Sequence, residues 1–447
     1  MTATLDTKHT PITLPTLLRL AGPVVMSRLG IMTMGLVDTI CVGRYSGTQL
    51  GYHALGWAPT MVLLTTSIGL LSGVQVLTSQ AIGEGRLAET GAVLRRGIAY
   101  AIFIGIAAGL LLIALGPYLL HHVGLASDLA DGASPVLVVF ALSLLPIIVG
   151  DAGIFWLEAH GRPVPGALCM WGANIVNLVL NLWLVPGHSP FPVAGAVASA
   201  WATFASRMAF MMLVAIVVMQ WRQSRALGVF DPTPRDPGAS RRLRRIGYAA
   251  SVSYFVETAA FGSMTVIAGW IGVASVAAWA IVLNAAAFIF MLPLGLAVAT
   301  GVLVGRAYGA GDKAGVRRAG LLGFGATTAA MLLICGAVVV LAPDIAAAYT
   351  RDPAVRSVAA AALLLSCLFY LPDGLQVVGA QALRAQSDIW VPTATHIFSY
   401  LIVMIPLCYV FAIPMGLGVK GIVWGVAAAS AVSAGLLIGR FAWKVRR

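Results

Sequence analysis

Long apolar segments recur along the whole of this 447-residue chain, separated by short polar connections. They fall near 14–43, 52–80, 95–121, 133–157, 165–186, 193–221, 244–272, 276–305, 317–342, 357–382, 391–412 and 418–442. A helix needs about 20 mostly apolar residues to cross a bilayer. Hydrocarbon offers the backbone no hydrogen-bond partner, so each segment must satisfy itself as a helix. Charged residues make up only 10% of the chain, against about 25% in soluble domains. The expected fold is therefore an all-α polytopic membrane protein with twelve transmembrane helices. Glycines and prolines inside the segments do not oppose this, because neighbouring helices in a bundle re-satisfy the backbone. The first segment starts near Leu14, is too long for a signal h-region and lacks a small-residue cleavage site. It reads as an uncleaved first span.

The net charge of +12 is not a nucleic-acid signal, because the basic residues lie between apolar segments rather than along one face. With the N-terminus placed in the cytoplasm, the inner connections hold Arg86, Arg95, Arg96, Arg162, Arg306, Lys313, Arg317, Arg318, Arg384, Lys444, Arg446, Arg447 and a cluster from Arg222 to Arg245. The outer ones hold only Arg44, Arg351, Arg356 and Lys420. Cytoplasmic loops are the basic ones, so both termini are expected inside, in a multi-pass cell (inner) membrane protein. The stretch from Trp221 to Arg245 contains Asp231-Pro232-Thr233-Pro234-Arg235-Asp236-Pro237-Gly238 and ends on Arg241-Arg242-Leu243-Arg244-Arg245. It reads as a topology-setting linker, with anionic lipid heads as a second reading.

A constant offset of 226 residues relates the two halves. Arg19 aligns with Arg245, Gly43 with Gly269, and Ser67-Ile68-Gly69-Leu70 with Pro293-Leu294-Gly295-Leu296. Gly83-Glu84-Gly85 aligns with Gly309-Ala310-Gly311, Pro146 with Pro372, Gly153 with Gly379 and Gly195 with Gly421. Six spans per half put both halves in the same orientation, which makes the internal repeat parallel. The expected organisation is an N-terminal six-helix bundle over 1–221, a cytoplasmic linker over 222–243 and a C-terminal bundle over 244–447. Two-lobed repeats of this kind belong to secondary transporters.

Three acids sit inside spans: Asp38, Glu257 and Asp373. A carboxylate at membrane depth is costly and should face the bundle interior or a wet cavity. Counted from Arg244 and Ser357, Glu257 and Asp373 lie roughly 20 Å into their helices at 1.5 Å per residue. The alternative for Asp38 is a structural pair with Arg28 or Arg207; the C-terminal half shows no comparable mid-span arginine. Asp151, Glu158, His160 and Arg162 read as an interfacial charge cluster. Asn174, Asn177 and Asn181 share one helical face, as cavity lining or as interhelical glue. Tyr370 in the tenth span is a further candidate cavity residue.

Other chemistries find no support. Gly83-Glu84-Gly85 and Gly309-Ala310-Gly311-Asp312 follow membrane spans, and no Gly-Lys-Ser/Thr element accompanies them. No nucleotide site is expected, so ATP is not the direct energy source. His121-His122 and His396 are isolated. The five cysteines (Cys41, Cys169, Cys335, Cys367, Cys408) lie in apolar runs and read as small buried hydrophobes. No catalytic constellation emerges, so the chain is not expected to be an enzyme.

The sequence resembles the multidrug and toxic compound extrusion (MATE) family, in its NorM-like branch, over essentially its whole length. The first span carries Gly35-Leu36-Val37-Asp38-Thr39-Ile40-Cys41-Val42-Gly43, similar to the family's Val-Asp-Thr and following glycine. The tenth carries Pro372-Asp373-Gly374-Leu375-Gln376-Val377-Val378-Gly379 and Ala382-Leu383-Arg384, close to the family's tenth-helix pattern. Glu257 falls where that branch has its seventh-helix glutamate. The resemblance implies efflux of cationic amphipathic molecules in exchange for Na⁺ or H⁺, with no other cofactor and with the monomer as the working unit. It places Glu257 and Asp373 at a C-lobe cation site, where they would ligate Na⁺ in a sodium-coupled protein, and Asp38 in an N-lobe cavity. Another branch uses an N-lobe Asn and Asp one turn apart; here those positions hold Asn177 and Asn181, so the titratable acid is missing. The rival expectations are a lipid-linked precursor flippase of the same superfold, which would need a cationic cavity, and an ion channel.

Overall fold

The computed structural model describes residues 11–122, 126–188, 190–232 and 236–446. The linker residues Thr233, Pro234 and Arg235 and the terminal Arg447 lie outside the described residues. Twelve helices are long and apolar enough to span a bilayer. They are α1 (Leu14–Tyr45), α2 (Gly47–Gly83), α3 (Thr90–His122), α4 (Ser127–Ala159), α5 (Pro163–Leu184) and α6 (Gly195–Gln220). The second half supplies α7 (Pro237–Ile271), α8 (Val273–Gly309), α9 (Lys313–Tyr349), α10 (Pro353–Ala385), α11 (Trp390–Ala412) and α12 (Val419–Arg446). No strand occurs among the described residues. Large apolar side chains such as Phe103, Leu168, Leu333 and Val340 are mostly exposed. Such a surface is stable only against hydrocarbon.

Half of the helices begin a turn or more before the apolar run does, because polar residues extend them past the hydrocarbon. The largest difference is at α7, which starts at Pro237. The basic run Arg241-Arg242-Leu243-Arg244-Arg245 therefore lies on its first turns rather than in the linker. The arginines point outward and Leu243 is buried. Asp236 sets this start by accepting from the Ala239 amide at 2.9 Å. That N–H, assisted by Gly238, holds the Asp236 carboxyl below its ordinary range. Asp312 and Asp352 cap α9 and α10 in the same way, accepting from Gly315 and Ala354 at 2.8 Å each.

The repeat is visible in the backbone. Gly85 and Gly311, which are 226 positions apart, close α2 and α8 with φ of 76° and 70°. Only glycine enters this left-handed region without steric cost. Prolines recur inside the equivalent helices α4 and α10, as Pro146 and Pro372.

The chain divides into two compact units. One comprises Met26–Ile82 and Arg86–Ser251; the other comprises Met1–Val25, Gly83–Gly85 and Val252–Arg447. The division thus passes through α1 and α7 rather than through the 222–243 linker. In the first unit, α4 packs against α3, α5 and α6. In the second, its repeat partner α10 packs against α8, α9 and α12.

The cysteines are free, with Cys169 and Cys408 buried and the other three half-buried. Cys335 and Cys367 are neighbours across α9 and α10: each thiol faces the other's carbonyl, at 3.5 and 3.8 Å.

Candidate functional site

In the second unit, Glu257 on α7 and Asp373 on α10 are brought to one place by Gln376, one turn beyond Asp373. Its Nε2 lies 3.4 Å from Glu257 Oε1 and 3.5 Å from Asp373 Oδ1. The Tyr400 hydroxyl donates to Glu257 Oε1 at 3.3 Å. These contacts are long, and neither acid has an ion-pair partner within 4 Å among the described residues. Both acids lie farther along their helices than the apolar pattern suggested. α7 and α10 start earlier, so each acid sits about 30 Å along its helix at 1.5 Å per residue. The Tyr400 contact depends on an irregularity: α11 is wound as a π-helix from Ile397 to Met404. Such segments are rare and frequently mark functional sites.

The site offers oxygen in several forms. Two carboxylates, the Tyr400 hydroxyl and Gln376 Oε1, which has no partner, form a donor set suited to a hard monovalent cation. The same carboxylates can instead take up a proton. Beneath them lies a cation that sequence reading placed in a cytoplasmic connection. Arg384 on α10 is 1% exposed. Its guanidinium stacks 5.6 Å from the Tyr254 ring and lies within electrostatic reach of Glu257. The C-terminal half therefore does contain a buried arginine. His396, 5.6 Å from the Tyr400 ring, is buried in the same region with neither ring nitrogen bonded.

In the first unit, Asp38 is 3% exposed and is held by three neutral donors. Asn177 Nδ2 and Asn181 Nδ2 donate to its Oδ1 at 2.9 and 2.8 Å. The Thr203 hydroxyl donates to Oδ2 at 2.5 Å. The spacing of Asn177 and Asn181 on α5 makes this possible, since residues four apart stack on one face. Both asparagines leave their carbonyl oxygens without a partner, which gives this site spare oxygen as well. Asn174 does not join: its amide bonds back to the Met170 carbonyl at 2.9 Å.

Asp38 does not pair with Arg28. Arg28 Nη2 instead lies 3.4 Å from Glu158 Oε1, and Gln75 Nε2 donates to Glu158 Oε2 at 2.8 Å. Asp151 lies within electrostatic reach of both Arg28 and Arg207. Arg207 donates to the Ser143 hydroxyl at 2.7 Å and stacks 5.3 Å from the Trp57 ring. Asp151 and Glu158 are 1% and 3% exposed. They are therefore not an interfacial cluster: the C-terminal end of α4 is covered by its neighbours, and the acids are enclosed with two arginines. Tyr370, one turn before Asp373, makes no hydrogen bond to either site. It packs into the apolar core of the second unit, against Phe369 and beside Ser366 and Cys367.

The model of the MatE family matches residues 23–183 and again 249–410. The chain belongs to this family. The two matched segments start 226 positions apart, which is the offset of the internal repeat. Among curated relatives, "Probable multidrug resistance protein NorM" of Caulobacter vibrioides is 50% identical over 439 residues, covering 96% of this chain and 92% of that one. "Multidrug resistance protein PmpM" of Pseudomonas aeruginosa is 30% identical over 406 residues, covering 88% and 83%. A solved structure described as the outward-facing conformation of a multidrug resistance MATE family transporter superposes with a TM-score of 0.90 at 18% identity, covering 98% and 97%. The chain is thus a MATE-family transporter of the NorM-like kind, as its sequence resemblance implies.

Sequence reading missed His53, Thr203, Gln376, Tyr400 and the burial of Arg384. His53 is buried within electrostatic reach of Asp38. Gln376, one turn from Asp373, was open to a face argument. Thr203 and Tyr400 were not, because they lie on other helices.

Proposed function

We propose that this MATE-family chain is a secondary multidrug efflux transporter of the cell (inner) membrane. It exports cationic amphipathic molecules in exchange for Na⁺ or H⁺ by alternating access, with both termini cytoplasmic. The observation that carries the reading is the Glu257–Gln376–Asp373 cluster with Tyr400. Two carboxylates without a close ion-pair partner, at membrane depth, are expensive and are retained where a cation comes and goes. A cationic substrate is drawn to negative charge, and filling the site with Na⁺ or H⁺ removes that charge and releases the substrate. Competition of this kind is what an exchanger needs. Asp38, with Asn177, Asn181 and Thr203, serves as a second charge-sensing site in the N-terminal half. A flippase for anionic lipid-linked precursors would need a cationic cavity, whereas these clusters are acidic.

The test is dye efflux from proteoliposomes under separately imposed Na⁺ and H⁺ gradients. Glu257→Gln and Asp373→Asn should each abolish gradient-driven efflux while the protein remains folded, because amides keep the side-chain volume and lose the exchangeable charge. Near wild-type exchange by both variants would move the coupling site elsewhere.

A further inference from the structure

The repeat places opposite chemistry at one equivalent contact in the two halves. In the N-terminal half, the contact between α1 and α4 is Arg28 with Glu158, 3.4 Å apart. Advancing both positions by 226 gives Tyr254 and Arg384, which meet at 5.6 Å across α7 and α10. Each half thus keeps one arginine at this contact, on opposite helices. The consequences for charge differ. Arg28 is used by Glu158 beside it. Arg384 has no carboxylate in contact, and its Nε and Nη2 lack any acceptor. A guanidinium enclosed in this way costs several kcal/mol unless some nearby charge compensates it. Glu257 of the cation site lies within its electrostatic reach.

The acids and arginines around each candidate site can then be counted among the described residues. The N-terminal unit encloses Asp38, Asp151 and Glu158 with Arg28 and Arg207. Arg28 lies against Glu158, and Arg207 lies within electrostatic reach of both Asp38 and Asp151, so the three acids exceed the two arginines by one charge. In the C-terminal unit, Arg384 lies within electrostatic reach of Glu257, which shares Gln376 with Asp373. The other groups facing this cluster are Tyr254 on α7 and His396 and Tyr400 on α11. The tyrosines are neutral hydroxyls. His396 counts as uncharged, because a buried imidazolium beside Arg384 would need an acceptor and neither ring nitrogen has one. Each of these clusters therefore carries one negative charge in excess.

We propose that Arg384 is a built-in cation of the Glu257–Asp373 site. It cancels one of the two carboxylate charges, so that the site takes up one monovalent cation, Na⁺ or H⁺, rather than two. This rests on the reading of Glu257 and Asp373 as the coupling site. The arginine acts through the field it places on the acids and touches neither. A second bound cation would leave the enclosed site with a net positive charge, which the low dielectric penalises as strongly as an uncompensated carboxylate.

The experiment counts cations on the purified full-length protein in detergent. ²²Na⁺ binding and proton uptake are measured in the same weakly buffered samples, and their sum is compared with wild type. Arg384→Gln should bind one cation more per protein. Arg384→Lys, which keeps the charge, should bind the wild-type number. So should Arg384→Gln combined with Asp373→Asn, in which one carboxylate is removed with the arginine. A purely structural role for Arg384 would not be reversed by a change at Asp373, which it does not touch. If Arg384→Gln alone does not fold, recovery of folding by the double variant supports the proposal and failure to recover overturns it. The proposal also falls if Arg384→Gln binds the wild-type number, or if the double variant matches the single one. A Glu257→Gln, Asp373→Asn protein that binds as many cations as wild type would remove the coupling site itself, and this proposal with it. That outcome is distinct from an unchanged count in Arg384→Gln alone.

Discussion

Replacing Arg28 by Met should destabilise the N-terminal unit far more than an interfacial charge would. Arg28 and Glu158 are both buried, with Nη2 3.4 Å from Oε1. Breaking an enclosed ion pair by removing one partner costs about 3–5 kcal/mol, because the other charge remains buried. The separation is long for such a pair, and Gln75 still donates to Glu158 Oε2 at 2.8 Å. The lower end of that range, about 3 kcal/mol, therefore applies. Glu158→Met should cost a similar amount by stranding Arg28. Replacing both removes the Glu158 acceptor of the Gln75 amide, a loss of about 1–2 kcal/mol, and leaves Asp151 with Arg207. The double variant should thus be more stable than either single one, with a coupling of at least about 2 kcal/mol. The assay is reversible unfolding in mixed micelles of the four proteins of the cycle. Single-variant losses under about 1 kcal/mol that simply add in the double variant would refute the buried pair. The 3.4 Å contact would then be a surface-like interaction.

Three further outcomes are expected. Gly73→Val should lower stability by at least about 1–3 kcal/mol in the same assay, since a Cβ there would lie 2.5 Å from the Leu243 carbonyl oxygen, which is backbone and cannot rotate away. A cysteine at the exposed Ala226, in a protein whose five native cysteines are replaced, should react with an impermeant thiol reagent only after the membrane is opened; labelling in intact cells would invert the topology. Tyr400→Phe should fold normally and weaken cation affinity by no more than about fivefold, because it removes one long hydrogen bond at 3.3 Å worth about 1 kcal/mol or less; an affinity loss as large as that of Glu257→Gln would make Tyr400 a principal ligand.

The architecture was legible in the chain itself because the bilayer imposes a length and a helical period on every segment that crosses it. The twelve spans, the 226-residue repeat and the acids Asp38, Glu257 and Asp373 all follow from that constraint. It acts along one helix at a time and carries no information about which faces meet. Asn177 and Asn181 could be placed on one face of α5, but Thr203, which completes their site around Asp38, could not. The π-helical turn that brings Tyr400 to Glu257 left no mark in hydropathy. Asp151, Glu158 and Arg384 were misplaced for a related reason. Near a helix end, a charge that snorkels to water and one covered by neighbouring helices share the same local sequence. Only the packing of α1, α2, α4 and α6, and of α7 with α10, encloses them. Enclosure then decides their chemistry, because a charge removed from water must be compensated by the nearest charge within the protein.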